Sequence, residues 1–197
     1  LLRPSCILQV DGRLESIAAR WEPDVEARQV ALREGPKDGR QVIPAISELW
    51  EIGAVPGDEL NQIVDLATRR IRLNPTDADA YLVRGWASLA LGKIDQGEAD
   101  FCRSIQLDPD SADALLARGT ALLLRGKQKE AADACQSALR SRPGWADALR
   151  LLGYASLESP LVALEYFGKA LEAAPAGWFH RIDAATMIDR LQEKVVL

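Results

Sequence analysis

Histidine is almost absent from the chain: His180 is the one copy in 197 residues. A histidine-based triad, a His-rich metal site or an imidazole proton relay would each have to pass through it. No nucleophile or metal-ligand cluster stands close to it in sequence, so no catalytic, metal or cofactor role is expected. Cysteine is scarce as well. Cys6, Cys102 and Cys135 are an odd number without paired spacing, which makes neither a disulfide framework nor a zinc knuckle. Cys102 and Cys135 read instead as small buried apolar side chains. No Gly-rich phosphate loop occurs, and no apolar run approaches the roughly 18 residues needed to cross a bilayer. A basic excess is also lacking: 24 Lys and Arg face 29 Asp and Glu, for a net charge of −5. Nucleic acid and anionic membrane surfaces are therefore poor partners. Aromatic residues are only 6% of the chain, yet five of them are Trp, an excess that asks for an explanation.

What is present is ordinary globular material. A hydrophobic share of 48% with 27% charged residues argues against disorder as the overall state. A domain of this length buries on the order of 70% of its unfolded surface and needs no disulfide or metal staple. The chain begins at Leu1 without an initiator Met and reads as a processed or excised piece. Leu1 to Cys6 superficially resembles a lipoprotein cleavage region but lacks the small residues expected before the Cys. The compartment is not legible, with the cytoplasm as the default.

Internal repetition decides the architecture. Pro75, Pro109 and Pro143 stand 34 residues apart, and Pro175 follows after 32. Asp79-Ala80, Asp113-Ala114 and Asp147-Ala148 open each unit; Arg84-Gly85, Arg118-Gly119 and Leu152-Gly153 recur at matching places. Each unit reads as two helices joined by a tight turn. The first runs from about Ala78 to Leu91, Gly92 is the stop, and Ile94 to Leu107 form the second. Asp77 and Ser111 are the expected N-caps, and proline prevents the second helix from running on. So short a helix pair cannot bury its apolar sides alone, and stacking on the next pair buries them.

On these residues the chain resembles the tetratricopeptide repeat family. The first unit supplies Tyr81, Arg84, Gly85, Ser88, Gly97, Phe101 and Pro109. The second supplies Leu115, Arg118, Gly119, Leu122, Ala131, Cys135 and Pro143. The third supplies Leu149, Leu152, Gly153, Ser156, Ala163, Phe167 and Pro175, its turn shortened by two residues at Ser159-Pro160. Arg84 and Arg118 replace the family's Leu, and Ser88 and Ser156 its aromatic, which predicts looser packing there. The fold implied is all-α: a right-handed α-solenoid of tandem helix-turn-helix units at 78–109, 112–143 and 146–175. A degenerate unit at 44–75 precedes them, and a C-terminal capping helix lies within 176–197. Residues 1–43 are read as helical, with a β-hairpin over 26–43 as the alternative.

The resemblance implies a binding scaffold and not an enzyme. Carried over position by position, the concave groove would be lined by Leu82, Trp86 and Leu89, by Leu116, Thr120 and Leu123, and by Arg150, Tyr154 and Leu157. Mostly apolar or aromatic, such a lining suits an apolar or amphipathic segment of a peptide or partner protein. Trp86 and Tyr154 belong to the residue types richest at binding hot spots. The family's clamp for a terminal carboxylate is not expected, because Leu82 and Leu116 stand where Lys would and Trp86 where Asn would. Asp79, Asp113 and Asp147 are explained by the helix dipole, which favours acids in a first turn. The alternative role is a structural or oligomerisation module, with the groove packed against its own chain, another domain or a second copy.

Overall fold

The computed structural model describes residues 57–178 and 180–195, and the chain divides into two compact units, Leu1–Leu107 and Asp108–Leu197. The readings for residues 1–43 and for the first half of the degenerate unit lie outside the described residues. Among those described, every regular element is a helix.

The first unit contributes α1 (Gly57–Leu73), α2 (Ala78–Ala90) and α3 (Ile94–Leu107). Leu60, Ile63 and Ala67, spaced by three and four residues, form the buried side of α1. Asp77 sits in extended backbone at the head of α2 and accepts from the Ala80 amide at 2.9 Å. The same carboxylate takes Arg70 of α1 at 2.8 Å, tying the two helices across the turn. Gly92 ends α2 with φ of +77°, where an L side chain would be strained. That conformation lets the Lys93 amide reach back to the Ser88 carbonyl at 2.9 Å.

α3 returns along α2 at close range. A Cβ on Gly85 would lie 2.4 Å from Cε1 of Phe101, so the ring fits only because residue 85 has no side chain. Around this contact the packing is polar but tight. Arg84 donates to both oxygens of Asp100, at 2.8 and 2.7 Å, and approaches Thr68 of α1 at 3.5 Å. Ser88 is buried, and the Ser104 hydroxyl donates to the Ala78 carbonyl at 2.9 Å. The looser packing expected at Arg84 and Ser88 is therefore corrected: a carboxylate on the facing helix takes the guanidinium, and Ser88 lies within the core.

The second unit contributes α4 (Ala112–Leu124), α5 (Gln128–Ser141), α6 (Ala146–Ala155), α7 (Pro160–Ala173) and α8 (Arg181–Val195). The construction repeats. Ser111 caps α4 by accepting from the Ala114 amide at 3.3 Å. Cys135 and Phe167 occupy the place that Phe101 holds in the first unit, facing Gly119 and Gly153. Pro160 starts α7 at a position where the missing N–H costs no helical bond. α8 closes this unit: Trp178, Ala184 and Leu191 pack into one core with Leu149, Ala163, Phe167 and Ala170. Burial of Trp178 and Leu191 alone is worth roughly 1.5–3 kcal/mol each.

Candidate functional site

The first helices of the repeats present the same register positions, the fifth, ninth and twelfth residues. On α2 these are Leu82, Trp86 and Leu89, and all three are buried, at 1%, 4% and 1% exposure. Trp86 meets the Phe101 ring edge-on at 5.6 Å between centroids, and its indole N–H is buried without an acceptor.

On α4 the equivalents are open by comparison. Leu116, Thr120 and Leu123 are half-buried. Leu116 and Leu123 lean on the cluster of Cys135, Leu151 and Leu152, and the Thr120 hydroxyl donates to the Leu116 carbonyl at 3.1 Å. Burial pushes the Cys135 thiol up to about 12, with Arg150 acting in the opposite direction. It is thus an inert core thiol.

On α6, and in the turn just past its end at Ala155, the three positions diverge. Leu157 is exposed, Tyr154 half-buried and Arg150 buried. Asp183 of α8 takes both polar groups, Arg150 Nη1 at 3.1 Å and the Tyr154 hydroxyl at 2.5 Å. Beside them Asp147 is a second node. It accepts from the Trp145 indole at 3.0 Å and the Trp178 indole at 2.8 Å, with His180 Nε2 at 3.6 Å. Arg142 lies 4.1 Å from the Trp145 ring centroid and reaches Asp113 at 3.4 Å. The three groove candidates of the last repeat thus belong to two classes: Leu157 is exposed, whereas Arg150 and Tyr154 hold α8.

Asp183, Trp145 and Trp178 did not figure among the expected site residues. Their signal was in the text. Gly144-Trp145 follows Pro143, and Gly177-Trp178 follows Pro175 one residue later. Both glycines have positive φ, 72° and 78°, so one turn is built twice and aims each indole at Asp147. The helix-dipole account of Asp147 is joined by these three partners. Among the described residues no group of three or more His, Cys, Asp and Glu is placed to hold a metal. None of the described helices is long and apolar enough to cross a membrane.

Helix pairs closed by a glycine against an apolar side chain of the facing helix, two of them capped by Asp77 and Ser111, define a class, the tandem α-helical repeats. Residues 82–146 match the family model of the tetratricopeptide repeat. No curated protein matches it. Among solved structures, TTC0263, a thermophilic TPR protein of Thermus thermophilus, is 19% identical with a TM-score of 0.62, covering 99% of this chain and 100% of that one. The first TPR of Spaghetti (RPAP3), bound to the HSP90 peptide SRMEEVD, is 18% identical with a TM-score of 0.56, covering 61% of this chain and 94% of that one. The second TPR domain of human RPAP3, in complex with the HSP70 peptide SGPTIEEVD, is 23% identical with a TM-score of 0.50, over 55% and 89%. At these identities the likeness establishes the fold.

Proposed function

We propose that the chain is a protein-interaction scaffold that takes an apolar or amphipathic segment of a partner on the inner faces of its repeats. The observation that carries this reading is the state of Leu116, Leu123 and Leu157. Leu116 and Leu123 on α4, and Leu157 in the turn two residues past the end of α6, keep apolar surface open to solvent. Two structural relatives are described with peptides bound, which supports the same use of the fold.

The test is selection from a displayed library of amphipathic peptides against the whole chain, followed by titration of the selected peptides. Saturable binding that Leu116→Glu and Leu157→Glu each weaken about tenfold, the equivalent of one lost buried leucine contact, is the expected result. Peptides that bind both variants as well as the parent would refute the assignment.

A second reading has its own observation. Leu82, Trp86 and Leu89 are buried, and Asp183 of the same chain occupies Arg150 and Tyr154. These contacts favour a structural module whose inner face is packed against its own chain. Sedimentation of the purified chain separates this from packing against a second copy: a monomer favours the former, and a concentration-dependent dimer the latter.

A further inference from the structure

Within the second unit α8 continues the series of first helices. Gly177-Trp178 repeats Gly144-Trp145 at an interval of 33 residues, again with positive φ at the glycine. The same interval carries Arg150 to Asp183, and these two side chains meet at 3.1 Å, so α8 lies beside α6 in matching register. Met187 and Arg190 then correspond to Tyr154 and Leu157. Met187 and Tyr154 also lean on one core cluster. Asp183, Met187, Arg190 and Lys194 follow one another at steps of four, three and four, which puts them on one side of the helix. Asp183 is taken up by Arg150 and Tyr154. Arg190 and Lys194 are exposed, and among the described residues neither has an acid as partner. The open leucines of the second unit are thus continued on α8 by two cations.

We infer that the partner segment carries an acidic side chain beyond its apolar anchors, and that Arg190 and Lys194 receive it. This rests on the interaction role proposed above and gives its ligand a charge. A segment crossing the inner faces meets Leu123 on α4, Leu157 past the end of α6, and then Arg190 on α8. Neighbouring packed helices stand about 8–10 Å apart, which an extended segment covers in about three residues. The occupant that fits has two apolar anchors about three residues apart and an Asp or Glu about three residues further on. Glu158 is exposed next to Leu157 and disfavours an acid at that step, so the acid falls at α8. Net charge alone predicts the opposite. At −5 the chain as a whole repels acidic peptides, and only a local cationic surface reverses that preference.

Peptides selected against the whole chain, resynthesised as C-terminal amides with Glu, Gln or Lys beyond the second anchor, test it. Amidation ensures that the carboxylate read is a side chain. In titrations at low salt the Glu forms should bind about threefold to tenfold tighter than the Gln forms, and the Lys forms more weakly than either. The difference should close at about 0.5 M salt. Arg190→Gln with Lys194→Gln should erase the preference, and Arg190→Glu with Lys194→Glu should reverse it. The Gln forms should bind every variant alike, and circular dichroism confirms that the helices persist. Glu and Gln forms that bind equally, or a Glu preference that survives both charge variants, would overturn the assignment and leave the apolar site standing. Failure of every form to bind removes the apolar site as well.

Discussion

Replacing Asp183 by Ala removes one carboxylate and unlinks α8 from α6 at two points. Arg150 loses the partner at 3.1 Å and the Tyr154 hydroxyl its acceptor at 2.5 Å. Hydrogen bonds to charged groups are each worth about 1.5–3 kcal/mol, and breaking a fully buried ion pair costs about 3–5 kcal/mol. Here the Arg150 side chain is 9% exposed but that of Asp183 is 24% exposed, so water recovers part of the loss. We expect a destabilisation of about 2–3 kcal/mol, which for a chain of this size lowers Tm by about 5–10 °C. Arg150→Met leaves a carboxylate that can rehydrate and should cost less, about 1 kcal/mol. The decisive quantity is the coupling. Urea denaturation of the parent, both single variants and the double variant should show the double falling short of additivity by at least about 1 kcal/mol. An Asp183→Ala effect below about 0.5 kcal/mol, or strict additivity, would show that α8 is held by apolar packing alone.

Arg84→Leu restores the family's residue and should nonetheless destabilise by about 2 kcal/mol, because it strands the Asp100 carboxylate, 8% exposed, between helices. Adding Asp100→Ala should recover most of that in the same denaturation assay. Gly85→Ala should cost about 1–3 kcal/mol by overpacking, since its Cβ would sit 2.4 Å from the Phe101 ring. A thermal melt unchanged to within about 1 °C would contradict the close approach. Burial raises the Cys135 thiol from 9.0 to about 12, so the folded state holds that proton where the unfolded state releases it. Its contribution to stability is complete below pH 9 and is lost as pH rises from about 9 towards 12. Cys135→Ala should flatten that part of the stability curve, and at about pH 8 the native thiol should react with a disulfide reagent far more slowly than Cys102.

The features legible in the sequence were those with a local cause. Asp77, Ser111 and Gly92 act on backbone within a few residues of themselves, so their roles follow from a short window of text. Proline spacing gave the repeat because the helix break at Pro75, Pro109 and Pro143 is equally local. Side-chain partners distant in sequence were another matter. Arg84 looked like a packing flaw because its carboxylate stands 16 residues away on another helix. Arg150 and Tyr154 looked like groove residues because Asp183 is 33 and 29 residues downstream, beyond a turn with one residue more than its predecessor. The three Trp among the described residues resolve on the same principle. Trp86 packs on Phe101, and Trp145 and Trp178 converge on one carboxylate, a meeting that appears only once the two Gly-Trp turns are superposed.

The two arginines also show how a repetitive sequence keeps its helices in order. Repeats with nearly equivalent apolar faces risk pairing one unit's first helix with another's second. Apolar contacts alone resist this weakly, because Gly85, Gly119 and Gly153 each accept an apolar side chain from across the turn, Phe101, Cys135 and Phe167. Charge discriminates better. Arg84 finds Asp100 on α3, whereas the register equivalent of Asp100 on α5 is Ala134. Docking α2 on α5 would therefore leave a guanidinium facing a methyl group in a core position, an error costing several kcal/mol. In the second unit Arg150 and Asp183 tie α6 to α8 in the same way, at 3.1 Å. The departures from the family's Leu at Arg84 and from an apolar lining at Arg150 are thus consistent with one purpose: each gives up apolar area to make a single helix pairing the correct one.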